Sequence, residues 1–360
     1  MAVSVNIKKE YPDFKLDVSF ESSSKRIGIL GASGCGKSLT LKSIAGLICP
    51  DEGRIRYGDE LFFDSDRKIN VMAGRRRVGY LFQDYALFPN MTVEENITAA
   101  LKGARRSLKF ENHSGRSKEK PGQYEPGSAE DILKRFKLWD VRLHRPHELS
   151  GGQQQRTALA RMLSTDPELL LLDEPFSAMD AFLKEGLRLE LIHILDMYDK
   201  TVILVSHDRD EIYQMCDHLV LMDKGRVIAQ GGTDELFTDP ESVAAAKLTG
   251  CKNISRIEKV TEHRVKALDW NDIELITADK VTDAVTHIGI RAHDFILGEH
   301  GVNVIPCGRT FVSRLPFEWY ITLENGLWLK LERELYEEYD DSLMPPYISI
   351  DPERILLLKG

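Results

Sequence analysis

An α/β fold built on a parallel sheet, followed by a smaller all-β domain, is what this sequence predicts, and three observations predict it. Short apolar runs at Arg26 to Leu30, Leu169 to Leu172 and Thr201 to Val205 are compact and flanked by turn or charged residues, as strands buried on both faces are. Between and after them, Leu39 to Ile48 and Ala181 to Tyr198 carry apolar residues at helical spacing, and strands alternating with helices imply a parallel sheet. From about Asn253 the texture changes to short alternating strands, such as Trp319 to Leu323 and Tyr347 to Ile350, separated by turns like Glu324-Asn325-Gly326. That pattern belongs to a small barrel.

At 360 residues the chain exceeds one comfortable core, so the two textures read as two domains divided between Thr238 and Asn253. With 42% hydrophobic and 29% charged residues, it has the composition of a soluble globular protein. No apolar run approaches the roughly 20 residues that span a bilayer. The opening MAVSVNIKKEYPDF lacks the apolar core of a secretory signal, so a cytoplasmic location is expected. Cysteines at 35, 49, 216, 251 and 307 show no CxxC spacing and read as ordinary thiols. A net charge of -9 disfavours a nucleic-acid partner, because phosphate contacts need concentrated Lys and Arg. The basic stretch Lys102 to Lys120 also holds Asn112, His113, Ser114 and Gly115 and reads as a solvated surface insertion.

The chemistry begins after the first apolar run. Gly31-Ala32-Ser33-Gly34-Cys35-Gly36-Lys37-Ser38 has the spacing of a phosphate-binding loop, with a strand before it and a helix from Leu39 after it. The glycines let backbone N–H groups turn inward around a phosphate, and the helix adds the positive end of its dipole. Lys37 is placed to bridge β- and γ-phosphates, and the Ser38 hydroxyl to ligate Mg²⁺. Leu169 to Leu172 supplies the complementary half, a buried strand ending in Asp173 and Glu174. Asp173 would hold the magnesium through water, since that ion keeps much of its hydration shell, leaving Glu174 to orient the attacking water and accept its proton. Leu149-Ser150-Gly151-Gly152-Gln153 then opens a helix whose N-terminus can meet a γ-phosphate.

Followed by Gln154-Gln155-Arg156-Thr157-Ala158-Leu159-Ala160-Arg161, that last segment resembles the signature sequence of ATP-binding-cassette ATPases. The resemblance covers roughly residues 1 to 240 and implies a P-loop ATPase cassette with a helical subdomain over about 85–165. It implies further roles: Gln83 contacts magnesium and the attacking water and links the site to a permease, Ser177-Ala178-Met179-Asp180 crosses to a partner subunit, and His207 touches the γ-phosphate. Met179 replaces the usual leucine. Leu39 stands where many relatives have a Thr for the α-phosphate, so that contact is lost or moved to Thr40. Either Tyr11 or Phe14 would stack on adenine. His144 and His147 share a loop but lack further ligands, so no metal site is expected there.

The run Gln83 to Pro89 followed by Asn90 to Ile97, a single cassette, and a following β domain resemble importers of oxyanions, sugars and related solutes. Ile288-Gly289-Ile290-Arg291-Ala292-His293-Asp294 is similar to their accessory domain, an OB-like barrel over 253–360, with Arg-Ala-His in place of the common Arg-Pro-Glu. The short C-terminal domain and the compact start Phe14 to Phe20 are most like the molybdate group. The resemblance therefore implies ATP and Mg²⁺ as cofactors and a homodimer sharing ATP between Lys37 of one subunit and Ser150 of the other. It also implies a separate membrane permease with an extracellular solute-binding protein, a place on the cytoplasmic face of the membrane, and molybdate or a related oxyanion as cargo. Sugar, polyamine, sulfate or iron import is the alternative.

Overall fold

The computed structural model describes residues 1–113, 128–177, 181–332 and 345–360, apart from the side chains of 104–113 and 181–183. It divides into two compact units, Met1–Thr233 and Asp234–Gly360. In chain order the first unit contains β1 (Val3–Tyr11), β2 (Phe14–Ser22), β3 (Arg26–Gly31), α1 (Lys37–Ala45), β4 (Glu52–Tyr57), β5 (Glu60–Asp64), β6 (Ile69–Asn70) and β7 (Val78–Leu81). There follow α2 (Val93–His113), α3 (Ala129–Arg135), α4 (Gly151–Leu163), β8 (Leu169–Asp173), α5 (Ala181–Asp196), β9 (Thr201–Ser206), α6 (Arg209–Met215), β10 (His218–Asp223) and β11 (Arg226–Gly232).

The strands form one eleven-stranded sheet in the order β6-β5-β4-β1-β2-β11-β10-β3-β9-β8-β7. The sheet is mixed, where the sequence led us to expect a parallel one. Strands β10, β3, β9, β8 and β7 are parallel neighbours. An antiparallel wing of β1, β2, β4, β5 and β6 extends the sheet, because β1 and β2 alternate buried and exposed residues and pair as a hairpin from Val3 with Ser22 to Tyr11 with Phe14. The central strands read as unbroken apolar runs because both faces are covered; Leu169, Leu170, Leu171 and Leu172 are all fully buried.

Between wing and parallel part, β2 and β11 share one register pair, Asp17 with Arg226. Gly225 makes that approach possible. At φ 82° its carbonyl accepts the Asp17 amide at 2.8 Å, its own amide donates to the Cys35 carbonyl at 3.0 Å, and a Cβ there would stand 2.0 Å from the Lys15 carbonyl oxygen.

Because the central strands are parallel, β3, β8 and β9 all end on one edge, where ligands of such sheets bind. Helix α1 stops at Ala45, short of the expected Ile48. Gly46 takes the left-handed conformation at φ 79° and donates to Lys42 and Ser43 carbonyls, closing the helix before Leu47. Helix α5 likewise ends at Asp196 and not Tyr198. Helices α2, α3 and α4 fall within the expected helical segment, and α2 packs on the other two.

The second unit begins with short helical turns, and the helix Val243–Leu248 buries Ala246 against Cys251 and Leu358. The rest is an OB-like assembly of three antiparallel sheets. The largest joins Ile273–Ile276, Arg264–Ala267, Asn253–Thr261, His287–Ile290 and Ile355–Leu358. Their common core holds Trp270, Phe295, Trp319, Ile321, Leu329 and Ile348. Strand Glu318–Leu323 alternates half-buried and buried residues, as its sequence pattern anticipates, and the turn after it closes with Gly326 N–H donating to the Leu323 carbonyl at 2.9 Å. Arg291 donates to the carbonyls of Thr249 and Phe237.

Candidate active site

The loop between β3 and α1 is shaped by its glycines. Gly34 and Gly36 have φ of 79° and 106°, values that side-chain-bearing residues resist. A Cβ at Gly31 would meet the Met222 carbonyl oxygen at 2.3 Å, and one at Gly36 would meet Leu16 at 2.6 Å; at Gly34 it would point into open space. Ala32, Ser33 and Gly34 are exposed at the rim, whereas Cys35, Gly36 and Lys37 are buried. Burial also pushes the Cys35 thiol up from its ordinary pKa. Lys37, only 4% exposed, donates to the carbonyls of Gly31 at 2.8 Å and Ala32 at 3.0 Å, so its ammonium lies in the mouth of the loop.

Opposite stand the carboxylates at the end of β8. Asp173 accepts from Ser38 Oγ at 2.7 Å and from Tyr80 Oη at 2.7 Å. Glu174 lies with Oε1 3.9 Å from Lys37 Nζ and Oε2 3.2 Å from His207 Nδ1. Its φ of 46° is a left-handed conformation for a residue bearing a side chain, held by its N–H donating to Val205 at 3.0 Å and its carbonyl accepting from Ser177. His207 follows β9 directly and is half exposed. Thus Lys37, Ser38, Asp173, Glu174 and His207, from three strand ends, converge. A cleft of about 220 Å³ beside them is lined by Glu174, Phe176, Ser177, Lys184, Ser206, His207 and Glu211.

The donor set fits a hard divalent cation: a hydroxyl and a carboxylate, both oxygen ligands, sit together at Ser38 and Asp173. Two protein ligands also leave room for phosphate oxygens and water, which Mg²⁺ prefers.

Other expected residues lie elsewhere. Gln83 is exposed, in the loop after β7, with no hydrogen bond to this cluster among the described residues. Ser150, Gly151, Gly152 and Gln153 form a separate capped helix start: Ser150 Oγ accepts the Gln153 amide at 3.3 Å while the Gln153 side chain accepts the Ser150 amide at 2.9 Å. Gly152 is buried because a Cβ would press on Leu187 at 3.2 Å, whereas Gly151 faces open space. Ala178, Met179 and Asp180 lie outside the described residues, as do the side chains of 104–113 and residues 114–120 of the basic stretch.

Thr40 cannot replace the missing phosphate contact. It is fully buried, and its hydroxyl donates back to the Gly36 carbonyl at 3.0 Å, the usual four-residue back-bond of helical Thr. Leu39 packs its side chain on the core. Of the two aromatics, Phe14 is the one beside the loop, its Cζ 3.1 Å from where a Cβ on Gly36 would stand; Tyr11 lies at the β1–β2 turn under Lys9.

Several supporting residues were not anticipated. Tyr80 is the second donor to Asp173, its phenol pushed well up in pKa by burial and then by that hydrogen bond. Lys184 of α5 bridges Asp208 at 2.5 Å and Glu211 at 2.7 Å, and Glu211 accepts from Ser206, so the chain around His207 is tied to α5. Burial disfavours the Asp208 charge, but the Lys184 hydrogen bond and charge together with the Asp210 and Glu211 amides outweigh it and lower the pKa. Arg161 of α4 donates to the Ala86 carbonyl at 2.8 Å and the Tyr85 carbonyl at 3.2 Å, holding two successive left-handed residues after Gln83. Only the spacing of Arg161 in the signature segment hinted at any of these.

Strand, glycine loop and helix, faced by acidic residues at the end of β8, the parallel strand beyond β9, define the class: a P-loop nucleotide-binding protein. The family model of the ABC transporter matches residues 15–177. The sulfate/thiosulfate import ATP-binding protein CysA of Caulobacter vibrioides is 34% identical over 293 residues, covering 81% of this chain and 79% of that protein. The glucose import ATP-binding protein GlcV of Saccharolobus solfataricus is 35% identical over 278 residues, covering 77% and 72%. Among solved structures, a nucleotide-free ATP-binding cassette from an ABC transporter shares the fold, with a TM-score of 0.54 at 24% identity over 69% of this chain and 98% of that one. The chain belongs to the ABC transporter family of ATP-binding proteins and is an ATPase of that family. No helix among the described residues is long and apolar enough to cross a membrane.

Proposed function

We propose that this chain binds and hydrolyses Mg-ATP at the β3–β8–β9 strand ends and thereby energises an importer of a tetrahedral oxyanion through a separate permease. The convergence of Lys37, Ser38, Asp173, Glu174 and His207 carries the reading. The loop amides and Lys37 hold the β- and γ-phosphates, and the α1 N-terminus adds its dipole. Ser38 and Asp173 would hold magnesium, with Gln83 a further ligand by the family resemblance. Bound there, the cation would neutralise charge developing between the β- and γ-phosphates. Glu174 orients a water toward the γ-phosphorus and takes its proton as the new P–O bond forms and the bond to ADP breaks. His207, held against Glu174, steadies the γ-phosphate side. Phe14 offers its face to adenine.

Ser150, Gly151, Gly152, Gln153 and Asp180 serve the site of a second copy. Ser150 and Gly151 are exposed at their helix start, and a triphosphate needs charge compensation on both sides. The working unit is then a homodimer on the cytoplasmic face of the membrane, docked on a permease fed by a solute-binding protein. The cassette over 1–240 does the chemistry, and the domain over 253–360 regulates or stabilises the pair.

Glu174→Gln tests the chemistry. General-base catalysis contributes about 10²- to 10⁴-fold, so phosphate release should fall by that factor while ATP binding persists. Turnover above a tenth of the unaltered protein's would remove Glu174 from this role. For the cargo, the Caulobacter relative is named for sulfate and thiosulfate import and the Saccharolobus relative for glucose. Molybdate and sulfate are both tetrahedral dianions, and we assign the cargo to that class, with molybdate the reading of the short second domain. Uptake of labelled sulfate, molybdate and glucose by cells carrying Lys37→Ala decides it: loss confined to glucose would refute the oxyanion reading.

A further inference from the structure

We infer that Tyr80 is a positioning residue for the divalent cation, acting through Asp173; the inference rests on the metal reading of Asp173 above and deepens it. Tyr80 lies in β7 in register with Leu171 of β8. Residues two apart on a strand share a face at about 7 Å spacing, so a tyrosine opposite Leu171 has the reach to bring its hydroxyl alongside Asp173. Tyr80 Oη donates to Asp173 Oδ2 at 2.7 Å, and Ser38 Oγ donates to Oδ1 at 2.7 Å. The ring is packed against Phe82, centroids 4.5 Å apart, which limits its freedom to swing.

Each oxygen of a carboxylate that is 5% exposed therefore has its own donor, one from α1 and one from β7. The two donors are not equivalent. Ser38 is itself an expected ligand, able to face a cation with a lone pair while its proton stays on Oδ1. Tyr80 is no ligand, and its bond to Oδ2 is compatible with a cation on Oδ1. Its bond fixes the carboxylate plane from the side away from α1 and satisfies Oδ2, whatever Ser38 does at Oδ1. Hydrogen bonds behind a ligating carboxylate raise metal affinity by about 10- to 100-fold.

The test uses the full chain, a fluorescent non-hydrolysable ATP analogue and Mn²⁺ as the probe, so no turnover is involved. Tyr80→Phe keeps the ring and removes the hydroxyl. It should shift the Mn²⁺ midpoint of analogue binding upward by about 10- to 100-fold and leave analogue affinity in EDTA unchanged. Tyr80→Met, which also lacks a donor, should give the same shift and serves in place of the first if Tyr80→Phe fails to melt cooperatively. An unchanged Mn²⁺ midpoint overturns the inference while leaving the metal site standing. Equal losses with and without metal show a packing defect and also overturn it. If the unaltered protein binds the analogue with no metal dependence, the metal reading of Asp173 falls and this inference with it.

Discussion

Replacing Arg76 with Leu should destabilise the nucleotide-binding unit more than any surface change, although Arg76 touches no expected ligand. The guanidinium is 1% exposed and lies 5.4 Å over the Phe62 ring. Its Nε donates to the Val71 carbonyl at 2.8 Å and its Nη1 to Ser43 and Ile44 carbonyls at 2.8 and 2.7 Å, while Nη2 reaches Asn70. Burial alone pulls its pKa down to about 10, so the ion is held by carbonyl dipoles and not by a carboxylate. Two of those carbonyls end α1, the helix whose other end is the phosphate loop. Leucine would leave two main-chain acceptors, the Val71 and Ile44 carbonyls, unpaired at about 1–3 kcal/mol each, and would leave the Ser43 carbonyl with the Gly46 amide as its donor. Because one side chain serves both, the losses overlap, and a net loss of about 3–5 kcal/mol is expected, set against the 5–15 typical of a whole domain.

Gly46 sharpens the test, since a Cβ there would stand 2.7 Å from Arg76 Nε. Gly46→Ala should cost about 1–3 kcal/mol for its left-handed backbone, plus the displacement of the guanidinium, and only the first part should survive in the Arg76→Leu background. Urea titration of both single variants and the double variant, followed by far-UV circular dichroism, gives the three free energies. A loss below about 1 kcal/mol for Arg76→Leu, or strict additivity with Gly46→Ala, would refute the account.

Three further predictions follow the same geometry. Mixing a Lys37→Ala subunit with a Ser150→Arg subunit, each inactive alone, should restore part of the ATPase activity, since one composite site of the mixed pair is intact; no recovery in demonstrated mixed dimers counts against the shared site. A fragment ending at Thr233, the limit of the first compact unit, should fold and bind Mg-ATP, and a folded fragment without nucleotide affinity would contradict the division of labour. His218 Nε2 is buried without a hydrogen-bond partner among the described residues, and burial holds its pKa below the ordinary value. As pH falls from about 7 to about 5 the unfolded chain takes up a proton that the folded one refuses. Stability should therefore fall on acidification, and His218→Gln should flatten that slope in melting curves; an unchanged slope would show that other groups set it.

The parts of the site legible beforehand are those whose chemistry is written in adjacent residues. Glycines at fixed offsets force positive φ, four leucines before Asp173 announce a strand buried on both faces, and Ser150 with Gln153 spells a capping box. What escaped is what distant segments bring together. Arg76 meets α1 and the segment after β6, Tyr80 reaches across to the neighbouring strand, and Lys184 ties α5 to α6; no spacing encodes these. Thr40 stands one residue from the place of a phosphate contact, but a helical Thr satisfies itself on its own backbone. The antiparallel wing is hidden in the sequence for another reason. Its hairpin alternation shows only one buried face per strand, and nothing local says that such a ribbon joins the parallel sheet.

That junction has a mechanical meaning. Wing and parallel part meet at the single pair of Asp17 with Arg226, and the peptide of Gly225 is bonded on one side to the wing and on the other to Cys35 of the phosphate loop. A displacement of the loop main chain is thereby geared to the strand that begins with Phe14 through a residue that has no side chain. Any substitution at 225 would act as a wedge, driving the Lys15 carbonyl away and parting the wing from the phosphate loop.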